Sequence, residues 1–460
     1  MRLFIAGICG TFMAGIAQVA QRLGHSVIGC DSNVYPPMST VLDQAGIEVL
    51  QGYRPEHLDD EIDLVVIGNV LSRGNPLVES VLDRDLPYTS GPQWLHDHVL
   101  RHRKVIAVAG THGKTTAASM AAWILSAAEM DPGFLIGGQP GNFTRSAEIG
   151  SSDWFVIEAD EYDSAFFDKR SKFVHYRPTV AVLNNLEFDH GDIFDNLKQI
   201  KRQFHHLLRI VPASGTVIAN GDDRNVRDVL GMGCWSRLEF TSLGKRNRHW
   251  HAVALTADHS AFDVYHRSRK AGTVSWECIG AHNAGNALAA IAAAHRAGVP
   301  VEQACRHLGR YVPARRRLEL VACSGGIHLY EDFAHHPTAI RATIEAVRTR
   351  HPGSRIVPVL DPGSNTMARG MHRDTLGRSI RLADGIIFYL PRELDWKPEE
   401  IGAEIPLFSC RSREDVLQAV KLNLTDNTVI ICMGNRSFDG IPAWLGERLE
   451  ELARKTVSPP

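Results

Sequence analysis

An α/β fold divided among several domains is what this chain predicts, on three observations. Short apolar runs alternate with helix-period stretches along most of it, as in parallel sheets crossed by helices. Glycine turns join strand to helix in its first two segments, the layout of ligand crevices in such sheets. At 460 residues it is too long for one ordinary core, so two to four domains are expected.

The first segment offers strands at residues 3–8, 26–30, 47–50 and 64–67, with a helical pattern over 13–23. The turn Gly7-Ile8-Cys9-Gly10-Thr11-Phe12-Met13 resembles a dinucleotide fingerprint, and Asp31 follows the second strand where a ribose-binding acid would stand. Cys9 and Phe12 break the glycine spacing. A nucleotide or nucleotide-sugar pocket therefore fits better than a nicotinamide site, though both stay open.

The second segment begins near residue 100. An apolar run over 104–109 leads into Gly110-Thr111-His112-Gly113-Lys114-Thr115-Thr116, and a helical pattern follows over 117–129. Such a turn grips a nucleoside triphosphate: backbone N–H groups and the positive helix end surround the phosphates, lysine adds a point charge, and a hydroxyl takes Mg²⁺. Val108 stands where a longer loop has its first glycine, so this is a shortened variant. ATP or a relative is the expected ligand. Two further strands, 154–159 and 179–184, end in Glu158-Ala159-Asp160-Glu161 and Asn184-Asn185-Leu186-Glu187-Phe188-Asp189-His190. Strand carboxyl ends converge on the crevice of a parallel sheet, so these side chains are placed to reach a Mg²⁺ held by Thr115.

From about residue 236 to 277 short alternating pieces predict an antiparallel patch added to the main sheet. Gly280-Ala281-His282-Asn283 then opens an Ala-rich helix running to about 297. After Pro313-Ala314-Arg315-Arg316-Arg317 a third α/β segment starts, with strands at 327–330, 356–360, 386–389 and 429–433. Two of its loops are chemically dense: Glu331-Asp332-Phe333-Ala334-His335-His336-Pro337 and Asp361-Pro362-Gly363-Ser364-Asn365-Thr366-Met367. Adjacent histidines rarely chelate one ion, and no third ligand is spaced nearby, so no zinc site is expected at His335-His336. The polar tail after Leu449 is expected to fray.

Composition narrows the classes. The chain is 44% hydrophobic and 22% charged, with a formal charge of −2 and no long run of one sign. That is the balance of a soluble globular protein, and it argues against a dedicated nucleic-acid or membrane-surface protein. Eight scattered cysteines without a Cys-x-x-Cys pair suit reduced thiols. No apolar run reaches the length of a membrane span, and Met1-Arg2-Leu3-Phe4-Ile5-Ala6-Gly7 suits a first strand better than a signal sequence. A cytoplasmic protein is expected, with a monomer and a weak dimer both open.

In order, the chain carries the shortened Gly-Thr-His-Gly-Lys-Thr-Thr loop, Glu-Ala-Asp-Glu, a strand loop ending in His190, His-Asn at a helix start, Arg-Arg, and Asp-Phe-Ala-His-His-Pro. This order resembles the Mur ligase family of ATP-dependent amide-bond formers, from residue 3 to about 440. The resemblance implies a Rossmann-like UDP-sugar-binding domain (1–100), a central P-loop ATPase with a parallel sheet and a small antiparallel one (101–316), and a Rossmann-like C-terminal domain that closes over ATP and binds the peptide (317–460). It implies an acyl-phosphate route joining UDP-N-acetylmuramate to L-Ala-γ-D-Glu-meso-diaminopimelate for peptidoglycan recycling. Within the family that branch is carried by the turn at 7–13, by residues 33–40, by 166–176, and by Ser364-Asn365-Thr366-Met367. Cys9 and Phe12, misfits to a dinucleotide fingerprint, match this branch.

The resemblance also implies residue roles. Gly110, Thr111, His112, Gly113, Lys114, Thr115 and Thr116 would surround the phosphates, with Asn283 at the adenine, Arg317 at the phosphates and Asp332 at the ribose. Thr115, Glu158 and His190 would hold Mg²⁺; Lys114, Glu158 and His190 would be catalytic. Gly10, Thr11, Phe12, Met13 and Asp31 would line the UDP-sugar site, and Ser364, Asn365 and Arg369 would meet the peptide. The chain departs from the family pattern at Asp361 and Gly363 (Glu and Arg elsewhere), at Ala368 (often Lys) and at Pro442 (His), all where the peptide should bind. Free L-alanine as the amine substrate is the nearest rival; an NAD-dependent oxidoreductase is a distant one.

Overall fold

The computed structural model describes residues 1–35, 38–244 and 248–457. Pro36 and Pro37, inside the 33–40 stretch, and the terminal Ser458-Pro459-Pro460 lie outside them. Three large sheets and one two-stranded hairpin organise the described residues. The first is five-stranded and wholly parallel, ordered Glu48–Gln51, Ser26–Asp31, Arg2–Ala6, Leu64–Ile67, Tyr88–Ser90. Its chain reverses beside Arg2–Ala6, so the turn after that strand opens at the switch point where such sheets bind ligands.

The central sheet has ten strands. At its middle, Lys104–Ala109 lies between Val180–Leu183 and Trp154–Ala159, parallel to both. That placement aims the phosphate loop and both acidic strand ends at one edge. Arg237–Leu243 still runs parallel to its neighbours, so the expected antiparallel patch begins later. It comprises Trp250–Ala254, Ala261–His266 and Arg269–Ser275, continuous with the main sheet. Against this sheet the phosphate-loop helix Lys114–Ala127 packs on the alanine-rich Ala281–Arg296, whose small side chains bury most of the helix.

The third sheet has six strands, ordered Glu319–Ser324, Ile327–Asp332, Thr428–Met433, Arg355–Leu360, Ile386–Tyr389, Leu407–Cys410, with only the first antiparallel. The tail does not fray where expected. Leu449–Val457 is a helix, because Leu449, Leu452 and Ala453 fall on one face and bury against this sheet.

One hairpin ties the first two units together. Asp163–Ala165 pairs with Asp168–Ser171, Phe167 meets Tyr88 edge to face at 5.0 Å, and Phe166 packs on the first unit's core. The 166–176 stretch is therefore a domain junction.

Candidate active site

The phosphate loop is built by two glycines. Gly110 (φ 150°) and Gly113 (φ 76°) hold backbone conformations that a side chain strains, and a Cβ on Gly113 would lie 2.5 Å from Asn286 Oδ1. The helix from Lys114 then starts with its N–H groups facing a cavity of about 510 Å³. Thr111 to Thr116, Glu158, Glu187, Asp189, His190, Asn283, Arg317 and Asp332 line it, so all the expected nucleotide residues but Gly110 converge there. Gly110 lies one step back, against Asn184 and Asn185.

Lys114 Nζ donates to Glu161 Oε2 at 2.8 Å. Burial works against its charge, but Glu161, then Asp160 and Glu158, more than offset that and hold the ammonium above its usual range. Thr115 Oγ1 donates to Glu158, 3.0 Å from either oxygen, and Gly137 N–H donates to Glu158 Oε2 at 2.8 Å. From the third unit, Arg317 Nη2 donates to Thr115 Oγ1 at 2.9 Å, its guanidinium stacked 4.7 Å from the Phe333 ring. His190 Nε2 stands 3.3 Å from Glu161 Oε1; burial lowers its pKa, yet that bond raises it above the usual histidine value overall.

The expected metal trio is thus split. Thr115 and Glu158 are in contact, whereas His190 clusters with Asp160 and Glu161, their ligand atoms within 4.8 Å of one another. Glu161, 1% exposed and joined to both Lys114 and His190, is the site residue that sequence reasoning passed over. It was visible as the last member of Glu-Ala-Asp-Glu. Hydroxyl and carboxylate oxygens dominate the donors, a set that fits a hard cation such as Mg²⁺.

Asn283 is committed by one amide hydrogen to the Ile279 carbonyl at 2.8 Å. Asp332 accepts from Ala334 N–H at 2.9 Å and Thr343 Oγ1 at 3.1 Å, and burial raises its pKa.

The first-unit turn lies elsewhere but within reach. Gly10 precedes the helix Thr11–Arg22, Met13 is buried, and Lys172 Nζ lies 5.6 Å from the Phe12 ring while bonding Asp160 at 3.0 Å. Lys172 therefore bridges that turn to the carboxylates around Lys114. Asp31 is already partnered: its oxygens take Cys9 N–H and Asn33 N–H at 3.0 Å each and Tyr53 OH at 3.1 Å.

In the third unit Ser364 caps the helix Asn365–Ala368 by accepting from Met367 N–H at 3.3 Å, while Asn365 and Arg369 are exposed; none of the three lines the cavity. Thr366 does the reaching, donating to Asp189 Oδ1 at 3.1 Å. The departures at Asp361 and Gly363 have a partner. A Cβ on Gly363 would lie 2.7 Å from Arg436 Cδ and 2.7 Å from Asp361 Oδ1, so Arg436 fills the space that a side chain at 363 would need. Ala368 ends the short helix, and Pro442 sits in the first turn of Ile441–Glu447. At the His335-His336 loop the fold brings His112 and Glu187 beside His336, though neither is near it in sequence.

A phosphate-gripping loop roofed by a second α/β unit and bridged to a third defines a nucleotide-dependent enzyme. The chain belongs to the Mur ligase family: residues 4–103 match the family's catalytic domain, 108–294 the Mur ligase middle domain, and 316–436 the Mur ligase glutamate ligase domain. It is 51% identical, over 99% of both chains, to the UDP-N-acetylmuramate–L-alanyl-γ-D-glutamyl-meso-2,6-diaminoheptandioate ligase of Escherichia coli K12. Identity to the Haemophilus influenzae enzyme of the same description is 48%, over 97% of this chain and 99% of that one. Among solved structures, a murein peptide ligase from Psychrobacter arcticus superposes over 100% of both chains with a TM-score of 0.75 at 42% identity.

Proposed function

We propose that this chain joins the lactyl carboxylate of UDP-N-acetylmuramate to the amino end of L-Ala-γ-D-Glu-meso-diaminopimelate, consuming ATP with Mg²⁺, as a step of peptidoglycan recycling. Residues 1–100 hold the UDP-sugar, 101–316 the nucleotide, and 317–460 the peptide. One observation carries this reading: Lys114 stands among Glu158, Asp160 and Glu161 in a cavity that Arg317 enters from the third unit and that Lys172 connects to the Phe12 turn. The extent of identity to tripeptide ligases favours the tripeptide over free L-alanine. Free thiols at all eight cysteines suit work in the reducing cytoplasm.

Carboxylate and amine do not condense in water, because the leaving group is too poor. The lactyl carboxylate attacks the γ-phosphorus, ADP leaves, and an acyl phosphate forms. The L-alanyl amine then attacks its carbonyl, and phosphate departs with the amide made and one proton lost. Lys114 is held charged before substrates arrive, so its field meets the transferring phosphoryl group without reorganisation. Thr115 and Glu158, with His190 and Glu161 beside them, would hold Mg²⁺, which supplies charge neutralisation between the two anions. Arg317 and the 332–338 loop cover the site and exclude water that would hydrolyse the acyl phosphate.

The test is phosphate release from ATP with UDP-N-acetylmuramate and tripeptide offered singly and together. Release only with both, and none with L-alanine in place of tripeptide, supports the assignment; release with sugar and L-alanine alone refutes it.

A further inference from the structure

Where the third unit leans on the phosphate loop, side chains from distant parts of the chain meet. His112 belongs to the loop, Glu187 follows the strand Val180–Leu183, and His336 caps the helix Pro337–Arg350. One ligand atom from each lies within 4.8 Å of the others. His112 Nε2 is 3.0 Å from Glu187 Oε2, and His336 Nδ1 is 3.3 Å from the same oxygen.

Hydrogen bonding fixes the tautomer of His336. Its Nε2 lies 3.2 Å from the Phe188 carbonyl oxygen, which only accepts, so Nε2 carries the hydrogen. Thr338 N–H donates to Nδ1 at 3.3 Å, so Nδ1 carries a lone pair and no hydrogen. Glu187 Oε2 stands 3.3 Å from that nitrogen with no hydrogen between the two atoms, a pairing that a cation would bridge. His372 lies beside this group. Its ring lies 4.4 Å from that of His336, it is 9% exposed, and its Nε2 is buried without a hydrogen-bond partner.

The geometry suits a metal. A tetrahedral site with bonds of about 2.0 Å separates neighbouring donors by about 3.3 Å, close to the 3.0 and 3.3 Å from Glu187 Oε2 to the two imidazole nitrogens. A ligating imidazole usually donates its other N–H to a carbonyl, as His336 does. Thr338 Oγ1 already steadies the second carboxylate oxygen of Glu187 at 3.0 Å, and an ion at Nδ1 would replace only the long Thr338 N–H bond. Two imidazoles and a carboxylate suit Zn²⁺, Co²⁺ or Ni²⁺ better than Mg²⁺.

We propose that His112, Glu187 and His336 bind one divalent transition-metal ion of the zinc class, which clamps the third unit onto the phosphate loop. The site is separate from the oxygen-rich set at Thr115, Glu158 and His190. Since two ligands come from the central unit and one from the third, the ion favours the closed arrangement, and whatever closes the enzyme tightens the ion in return.

The test uses the full chain, stripped with chelator and free of nucleotide and sugar, so its result does not depend on the ligase reading. Zn²⁺ is titrated by calorimetry and Co²⁺ by visible absorption. One ion per chain is expected, with the absorption of a four-coordinate nitrogen–oxygen site. His336→Gln and Glu187→Gln should each weaken binding by at least about tenfold, while His190→Gln leaves it within about twofold. Should the variants fail to fold, protection of His336 from diethyl pyrocarbonate by Zn²⁺, mapped by mass spectrometry on the unaltered protein, gives the same readout. No stoichiometric ion, binding unmoved by His336→Gln and Glu187→Gln, binding lost with His190→Gln, or no protection of His336 would each overturn the proposal.

Discussion

Two glycine turns in this molecule share a plan and differ in what surrounds them. Each leaves a parallel strand and opens a helix, after Arg2–Ala6 in one unit and after Lys104–Ala109 in the other. Around the first, the nearby acid bonds to its own unit: Asp31 accepts from Cys9 in the turn and from Asn33 and Tyr53 outside it. Around the second, the acids are aimed outward at a lysine and a hydroxyl: Glu161 at Lys114 and Glu158 at Thr115. A helix N-terminus is enough to seat an anion, whereas transferring a phosphoryl group needs preorganised charge as well. The comparison therefore predicts that one turn binds and the other reacts.

The hardest blow to that contrast is Lys114→Ala. Ligation should fall by about two to three decades in kcat, the scale of removing one preorganised transition-state donor. Binding of UDP-N-acetylmuramate, measured by calorimetry without ATP, should stay unchanged. If sugar binding collapsed too, the two turns would not be separable in function.

Next comes Arg436→Ala. Arg436 fills the space over Gly363 beside buried Asp361, at the carboxyl ends of the third sheet's strands. If this guanidinium receives a carboxylate of the tripeptide, its loss removes a charged hydrogen bond of about 1.5–3 kcal/mol, roughly a ten- to hundredfold rise in the tripeptide KM. The KM values for ATP and UDP-sugar should not move. An equal rise in all three would mark Arg436 as structural.

How far these contrasts were legible beforehand follows from sequence distance. Lys114, Thr115 and Glu158 were readable because a strand, a turn and a helix place them within one local motif, and strand ends in a parallel sheet share an edge. Four of the five strands of the first sheet were readable from its alternating apolar and helical runs, whereas its Rossmann-like character was implied by the family resemblance. The His112–Glu187–His336 meeting was not readable. It arises where two separately folded units touch, and no periodicity in either encodes the other. Thr366 reaching Asp189 and Lys172 linking Phe12 to Asp160 are of the same kind. Asp31 is legible only by analogy: its position after the second strand names a ribose acid, and the fold adds bonds from Tyr53 and the amides of Cys9 and Asn33 to its oxygens.

Acid should distinguish the two turns again. Burial holds His335 at about 4 and His336 at about 3, both beside the phosphate loop. The fold thus favours their neutral forms, so between the unfolded value of about 6.5 and these folded values the unfolded chain binds more protons. The stability they contribute is complete above about pH 6.5 and is lost as pH falls toward 4. Melting in chelator from pH 7.5 to 5 should show a falling Tm, and His335→Gln should flatten the slope. An unchanged slope in that variant would place the acid sensitivity elsewhere.

The smallest effect tests the quieter turn. Tyr53→Phe deletes one hydroxyl that donates to Asp31 and leaves the ring in place. Asp31 keeps both turn amides, so it is not stranded, and the loss should be a single hydrogen bond of about 1 kcal/mol in urea unfolding. Tyr53 is buried enough for its phenol to be pushed up to about 12, first by desolvation and then by Asp31, so at neutral pH it is a donor and not a charge. If Asp31 only shapes the turn, UDP-N-acetylmuramate affinity should fall by no more than that same 1 kcal/mol. A larger fall, with stability unchanged, would mean that the acid presents an oxygen to the ligand after all, and the two turns would be more alike than their surroundings imply.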